Sequence, residues 1–110
     1  MKTYRPLRVG SLIQEELGRI ILRELDLESG VLATVSAVEV SPDLARAKVL
    51  VSIIPKEAGE EVMKVLSRSR GRFQHFLNHK MNIKPMPQIE FERDFGLEKA
   101  ANIEKLLREK

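Results

Sequence analysis

Cysteine is absent from this 110-residue sequence. Its absence excludes disulfide bonds, thiolate metal ligands and thiol nucleophiles, and it fits a reducing compartment. The sequence also lacks any apolar run close to the roughly 18–20 residues that a membrane span requires. We therefore expect a cytoplasmic protein that has no membrane partner.

The residue sets of enzymes and metal sites are missing as well. No two glycines lie three residues apart, which excludes the glycine-rich loops that hold phosphate groups. His75 and His79 have the i, i+4 spacing of metal ligands on a helix, but no glutamate lies between them and no nearby cysteine or carboxylate completes a site. Since no nucleophile, acid–base pair or metal set can be assembled, we predict no enzymatic activity, no bound metal and no cofactor.

The composition describes one folded domain. Hydrophobic residues make up 43% of the sequence and charged residues 32%, a balance typical of soluble globular proteins rather than of disordered chains. A length of 110 residues suits a single hydrophobic core. We expect residues 1–110 to form one domain that acts as a monomer.

Hydrophobic periodicity predicts a helix followed by a β-hairpin. From Pro6 to Leu25 apolar residues recur every three or four positions, which indicates a helix with one buried stripe. Residues 31–40 and 46–54 are rich in β-branched side chains and predict two strands, joined by turn chemistry at Ser41-Pro42-Asp43. Alternation along the first strand would place two sets of side chains on opposite faces of the sheet. Val35, Ala37 and Glu39 would lie on one face, and Thr34, Ser36, Val38 and Val40 on the other.

A second helix is predicted from residues 55–58 onward, and its apolar positions continue to Met81. Ser69 and Gly71 interrupt this pattern, because a small polar residue occupies an apolar position and a helix-weakening glycine follows. We predict a kink at these two residues. Residues 88–95 alternate and predict a third strand, and residues 97–110 predict a last helix whose contact stripe is Ile103, Leu106 and Leu107.

The predicted order is α-β-β-α-kink-α-β, followed by the C-terminal helix. This order gives a three-stranded sheet with helices packed on one face, an α+β fold. All four phenylalanines, Phe73, Phe76, Phe91 and Phe95, are expected in the core, and Tyr4 is the only tyrosine. Recognition of a nucleic acid would therefore depend on shape and phosphate contacts more than on stacked bases.

Positive charge is concentrated in one segment. Between Glu61 and Glu90 there is no acidic residue but there are six basic ones: Lys64, Arg68, Arg70, Arg72, Lys80 and Lys84. The rest of the sequence carries 13 basic and 16 acidic residues. At about 100° per residue, five residues of the second helix fall within roughly 80° of one another, opposite its apolar side: Lys64, Arg68, Arg72, His75 and His79.

A basic run is often only a solvated helix face, but such faces normally interleave acids, as the first helix does with Glu15 and Arg19. Like charges held together repel, and a polyanion that neutralises them makes this cost tolerable. We therefore predict a nucleic-acid-binding surface and a second contact on the first helix: Lys64, Arg68, Arg70, Arg72, His75, His79, Lys80 and Lys84, with Arg5 and Arg8. Two alternatives stay open on the residues alone: a module for another RNA or single-stranded DNA, and a protein-interaction domain for an acidic partner.

The hairpin carries a resemblance to a known family. Val38-Glu39-Val40-Ser41-Pro42-Asp43-Leu44, followed by Ala47-Lys48-Val49-Leu50-Val51-Ser52, resembles the ribosome-binding factor A family of bacterial small-subunit maturation proteins. Further similar segments cover nearly the whole chain: Arg5-Pro6-Leu7-Arg8-Val9 with Glu16-Leu17 and Ile20-Ile21, then Pro87-Gln88-Ile89-Glu90-Phe91, then Ile103 with Leu106-Leu107. The Ser-Pro-Asp-Leu hairpin between valine-rich strands is the most specific of these features.

The resemblance implies a type II KH-like fold in which an interrupted helix, marked by Ala-x-Gly, replaces the usual Gly-x-x-Gly loop. This sequence has Ser69-Arg70-Gly71 there, and the serine hydroxyl could bond back to a helix carbonyl and preserve the bend. The family's Asp-x-Ser after the third strand is altered to Asp94-Phe95-Gly96. The function implied is non-catalytic: binding to the free, immature 30S subunit and assistance in late folding and 5′-end maturation of its 16S rRNA, often with importance for growth in the cold.

Overall fold

The computed structural model describes residues 4–96, so the predicted C-terminal helix at 97–110 lies outside the described residues. The elements follow the predicted order, with a short 3-10 turn at Lys56–Ala58 before the second helix. Their bounds are α1 Tyr4–Glu24, β1 Leu32–Val40, β2 Arg46–Ile54, α2 Gly59–Lys80 and β3 Gln88–Arg93.

The three strands form one mixed sheet in the order β1-β2-β3. β1 pairs with β2 in antiparallel fashion, as the short turn between them requires, and β3 pairs with β2 in parallel fashion. A parallel neighbour needs a crossover connection, and α2 supplies it. The predicted α+β fold, with a three-stranded sheet and helices on one face, is confirmed.

The predicted stripe of α1 is buried and forms a large part of the core. Its buried members are Val9, Ile13, Leu17, Ile20 and Ile21, and they pack with the buried residues of the strands and of α2. Leu12, which the periodicity also placed in the stripe, is 48% exposed because it lies at the edge of the stripe and turns away from the sheet.

A β-bulge in β1 changes which side chains face the helices. The pairing register shifts between Val35 and Ala37, so one extra residue, Ser36, stands opposite β2. As a result Val38 pairs with the buried Val49 and shares the helix-facing side with Val35, whereas Ala37 and Glu39 lie on the open side. The strict alternation predicted for this strand is wrong beyond residue 36, because a bulge shifts the period by one.

The first helix crosses β1 at very short range at Gly10. A β-carbon at that position would lie 2.9 Å from the backbone carbonyl oxygen of Val38. Only glycine allows this approach, because the obstacle is backbone and cannot move aside. The close crossing brings the apolar stripe of α1 onto the helix-facing side of the sheet.

Helix α2 is a single helix of 22 residues that runs through Ser69 and Gly71. The sequence predicted two helical segments here, and the structure has one. A glycine inside a helix costs only about 1 kcal/mol, and Leu66 and Phe73, both fully buried, attach the two halves to the same core. The Ser69 hydroxyl makes no hydrogen bond to another residue of 4–96, and a bend of the helix axis at these residues stays a prediction.

The third strand ends at Arg93, two residues earlier than predicted. Phe73 is buried and Phe91 half-buried, in an edge-to-face contact, as expected of core aromatics. Phe95 is 42% exposed instead, beyond the last strand residue, and the Arg93 guanidinium lies 4.5 Å above its ring. The prediction that all four phenylalanines are core residues is therefore wrong for Phe95.

Candidate nucleic-acid interface

One side of α2 carries a row of exposed basic side chains, here called the basic stripe: Lys64, Arg68, Arg72, His75 and His79. Helix α2 is continuous through these positions, so the helical phase that predicted a common face applies without interruption. At about 1.5 Å per residue the stripe extends over about 22 Å, a length that crosses several phosphates of a nucleic-acid strand. The structure therefore brings together five of the predicted residues.

Arg70 does not belong to this stripe. Residues two apart on a helix do not face each other, and about 100° per residue turns Arg70 about 160° away from the middle of the stripe. It is exposed, but it leaves the helix closer to the side on which Leu66 and Leu77 are buried. The predicted cluster of Arg68, Arg70 and Arg72 is thus divided between two sides of α2.

The basic stripe has no acidic partner within residues 4–96. Ion pairs in that part of the chain join Arg19 to Glu15 and Glu16, Arg46 to Glu90, and Lys48 to Glu92, and none of these pairs involves the stripe. Arg72 lies 5.4 Å from the centre of the Phe73 ring, which orients its guanidinium without neutralising it. The charges on this side are left to solvent or to a partner.

The helix dipole accounts for only part of the distribution of charged residues along α2. Glu60 and Glu61 in the first turn and His79 and Lys80 in the last turn match the positive and negative ends of the helix. The dipole acts within the first and last turns, so it gives no reason for arginines in the middle of α2. A bound polyanion gives such a reason.

His75 and His79 lie edge to face, with ring centres 4.3 Å apart. Two imidazoles at this spacing are only two metal ligands, and residues 4–96 contain no group of three or more histidine, cysteine or acidic side chains that could hold an ion. The pair lies in the same row as the other members of the basic stripe. None of the helices in the described part of the chain is long and apolar enough to cross a bilayer.

Lys80 and Lys84 lie beyond the stripe, where α2 ends. Both are exposed, and together with His79 they line a cleft formed by residues 78–86 and Gln88, here called the α2–β3 cleft. The stripe therefore leads into this cleft. Arg5 and Arg8 are exposed on the first turns of α1, and no hydrogen bond or ion pair within residues 4–96 joins them to α2, so a second contact there stays a prediction.

Gln74 is a buried residue that helps to position α2, and this role was not predicted from the sequence. It is 7% exposed, and its side chain accepts a hydrogen bond from the Ile89 N–H at 2.8 Å. Its amide nitrogen donates to the Pro87 carbonyl at 3.0 Å and to Asn78 Oδ1 at 3.1 Å. These bonds attach α2 to the start of β3. A glutamine on a helix gives no sequence signal of such a role, because only the folded chain brings residues 87–89 beside it.

The side of the sheet that faces away from the helices, here called the open sheet face, carries cations that are paired. Arg46 lies 3.2 Å from Glu90, and Lys48 lies 3.6 Å from Glu92. Both acids lie two residues beyond the direct cross-strand partner of their cation, so the parallel register of β2 and β3 forms both pairs. This surface offers a polyanion little unpaired charge.

The helix–hairpin–helix–strand order and the mixed sheet with β2 at its centre define the class of this protein as a type II KH-like domain. Sequence comparison gives the family within that class. A family model for ribosome-binding factor A matches residues 5–107, and the chain belongs to this family.

Individual relatives and solved structures agree with this assignment. Ribosome-binding factor A of Chloroherpeton thalassium is 41% identical over 109 residues, which cover 96% of this chain and 86% of the relative. The crystal structure of ribosome-binding factor A from Thermus thermophilus matches with a TM-score of 0.69 and 25% identity, over 80% of this chain and 94% of that one. A homology model of the Thermus thermophilus factor, fitted into the cryo-electron-microscopy map of a complex with the 30S subunit, matches with a TM-score of 0.57 and 26% identity over 76% of this chain and 92% of that one.

Proposed function

We propose that this protein is a cytoplasmic ribosome assembly factor that binds the free, immature 30S subunit and assists late folding and 5′-end maturation of its 16S rRNA. Membership of the ribosome-binding factor A family supports the proposal, and so does the likeness to a Thermus thermophilus factor fitted into a 30S complex. The observation that carries it is the basic stripe, whose cations have no carboxylate partner within residues 4–96.

The mechanism that these residues support is conformational. Lys64, Arg68 and Arg72 contact phosphates of one rRNA arrangement, and the binding energy shifts the rRNA population toward that arrangement. Phosphate contacts position a protein on RNA without reading sequence, so selectivity comes from the spacing of phosphates in the folded rRNA. The protein makes and breaks no bond in this scheme.

The test is to replace Lys64, Arg68 and Arg72 with glutamine and to measure co-sedimentation with purified 30S subunits over a range of salt concentrations. The matched control replaces Arg19, Arg46 and Lys48 with glutamine, which removes the same charge from ion-paired positions. The stripe variant should lose about 10- to 100-fold in affinity, and the slope of log affinity against log salt should fall by about two to three. The control should behave like the unaltered protein.

Equal affinity and equal salt slope for the two triple variants would reject the stripe as the binding surface. The biological part of the proposal is tested in cells. In a sucrose gradient the protein should travel with free 30S subunits rather than with 70S ribosomes, and the stripe variant should accumulate 16S rRNA with an unprocessed 5′ end. Co-sedimentation that survives complete digestion of RNA would instead favour an acidic protein partner.

A further inference from the structure

The α2–β3 cleft has the size and the lining of a small binding site. Its volume is about 580 Å³, within the range of roughly 300–1,000 Å³ that is usual for ligand pockets. Met81, Ile83 and Met86 are half-buried in it and pack against the hydrophobic core, so its floor is apolar and supported from below. Its rim consists of exposed amide and basic side chains, and no acidic residue lines it.

A chain of hydrogen bonds fixes one donor at the rim. The Ile89 N–H must donate to an oxygen, which identifies the Gln74 atom that it contacts as Oε1. The Gln74 amide nitrogen therefore uses both of its hydrogens, one on the Pro87 carbonyl and one on Asn78 Oδ1. With its oxygen occupied, Asn78 presents its NH₂ group, which has no acceptor within residues 4–96. The donor is held in place before any ligand arrives.

The charges around this donor indicate an anionic ligand. Lys80 and Lys84 are exposed, line the cleft and form no ion pair within the described part of the chain. His79 lines the cleft as well and is the last residue of the basic stripe, so a strand lying along the stripe continues into the cleft. A small inorganic anion would satisfy the cations but would leave the apolar floor uncovered.

A nucleotide suits all three features of the cleft together: the apolar floor, the fixed NH₂ donor of Asn78 and the cations at its rim. Its base covers thioether and alkyl groups, which contact π-faces favourably, while its phosphate meets the ammonium groups. Base carbonyls and ring nitrogens accept hydrogen bonds from a fixed amide NH₂. A base inside a duplex is stacked and paired and cannot enter a cleft, so the nucleotide must be unpaired.

We propose that the α2–β3 cleft holds one unpaired nucleotide of the bound RNA, with its base against Met81 and Met86, an acceptor at the Asn78 NH₂ group and a phosphate at Lys80 or Lys84. This inference rests on the proposed function, since it concerns the RNA that the basic stripe binds. It adds a preference that phosphate contacts alone do not give, for a strand with an unpaired position next to the segment on α2.

The decisive substitution is Asn78→Asp. It keeps the shape and the oxygen that accepts from Gln74, so it preserves the attachment of α2 to β3, but it replaces the NH₂ donor with a carboxylate oxygen. Arg23→Gln makes the same change in net charge, and Arg23 is an exposed residue of α1 that does not line the cleft. Lys84→Gln is a second cleft variant, at an exposed loop position where folding is not at stake.

The experiment follows ¹H–¹⁵N NMR signals of the whole chain during titration with adenosine or uridine 5′-monophosphate, with ribose 5-phosphate as the probe that lacks a base. Both nucleotides should shift the Asn78 side-chain NH₂ signal and the backbone amides of Met81 and Met86, whereas ribose 5-phosphate should leave these three in place and shift at most the amides of Lys80 and Lys84. Asn78→Asp and Lys84→Gln should each weaken nucleotide binding at least about fivefold, since each removes one charge-assisted or polar contact. Arg23→Gln should leave it unchanged.

Equal shifts with ribose 5-phosphate, or shifts confined to the stripe, would overturn the proposal, and so would undiminished nucleotide binding in both cleft variants. Co-sedimentation with 30S subunits keeps the two proposals separate. If the unaltered protein binds 30S subunits but the nucleotides leave the cleft signals unmoved, the cleft proposal alone fails. If the nucleotides bind but the protein does not co-sediment with 30S subunits, the proposed function fails.

Discussion

The basic stripe of α2 and the open sheet face both present basic side chains to solvent, but they differ in whether an acidic side chain lies beside those basic side chains. On the sheet, Arg46 and Lys48 each have a glutamate on the neighbouring strand within ion-pair distance. On α2, Arg68 and Arg72 have none within residues 4–96. The basic side chains are exposed on both surfaces, and pairing is what distinguishes them.

This difference shows why net charge describes the protein poorly. An exposed ion pair contributes only about 0–1 kcal/mol to stability, but it neutralises its own cation and so removes it from any long-range attraction. Unpaired cations repel one another in the free protein and gain most from a polyanion. The formal net charge of +3 does not distinguish a neutralised surface from an uncompensated one.

The largest predicted effect concerns the bonds that fix α2 to the sheet. Gln74→Leu should destabilise the protein by about 2–4 kcal/mol, because the buried Ile89 N–H and Pro87 carbonyl each lose their side-chain partner. Urea unfolding measures the change. Gln88→Leu is the control, since Gln88 is exposed and its side chain has no hydrogen bond within residues 4–96; it should change stability by less than about 0.5 kcal/mol.

Equal stability of the two variants would show that the side chain of Gln74 does not hold α2 in place. The position of the basic stripe relative to the open sheet face would then depend on the apolar contacts of Leu66, Phe73 and Leu77 alone.

Within residues 4–96, local patterns were enough to predict the elements and their order, except that α2 is one helix where two helical segments were predicted. The apolar stripe of α1, the β-branched runs of the hairpin and the turn at Ser41-Pro42-Asp43 are properties of neighbouring residues, and the structure confirms them. The bulge at Ser36 was not predictable, because it depends on how β1 pairs with a strand that follows it. The exposure of Phe95 depends on where β3 ends beside α2, which alternation alone does not state.

The candidate site was predictable to a similar extent. The acid-free segment identified every basic residue of α2, and helical phase identified those that share a side. That phase also separates Arg70, but charge alone grouped it with Arg68 and Arg72. The polar contacts of Gln74 arise because residues 74 and 87–89 come together, and the cleft beside Lys84 is formed by residues 78–86 with Gln88. No pattern within α2 contains either feature.

The next effect separates the two sides of α2. Arg68→Gln should weaken association with 30S subunits several-fold and lower the salt slope by about one, as expected when one phosphate contact is lost. Arg70→Gln should change neither quantity, because Arg70 leaves α2 about 160° from the middle of the stripe. The two variants have the same charge and the same type of substitution, so a difference reports position. Equal losses would mean that α2 bends in the complex and brings both arginines to one RNA surface.

Charge reversal should affect the stability of the two surfaces with opposite sign. Lys48→Glu places a carboxylate beside Glu92 and opposite Glu39 and Glu90, and should destabilise the protein by about 0.5–1 kcal/mol. Arg68→Glu places a carboxylate four residues from both Lys64 and Arg72, and should stabilise α2 by about 0.3–0.5 kcal/mol. Thermal unfolding at low salt measures both.

A loss of stability in both variants would contradict the view that the stripe is left unpaired at a cost to the free protein. Arg68→Glu should make the protein slightly more stable and should weaken its binding to 30S subunits. This combination is expected when the charges of a surface serve the binding of a partner rather than the stability of the free protein.

The smallest effect is the pH dependence of an acid that serves the fold of the hairpin. Asp43 Oδ1 accepts hydrogen bonds from the Ser41 hydroxyl at 2.6 Å and from the Ala45 N–H at 3.0 Å. These donors, the hydroxyl first, hold the pKa of Asp43 below its ordinary value of 3.8. A carboxyl whose pKa is lower in the folded state adds stability above the unfolded pKa and loses it as the pH falls through the folded pKa.

Asp43→Asn should therefore be less stable than the unaltered protein at neutral pH, and the difference should shrink below about pH 3.8. Urea unfolding from pH 7 to pH 3 measures it. A stability difference that stays constant down to pH 3 would mean that the charge of Asp43 contributes nothing, and that the asparagine variant loses only the hydrogen-bond geometry of the turn.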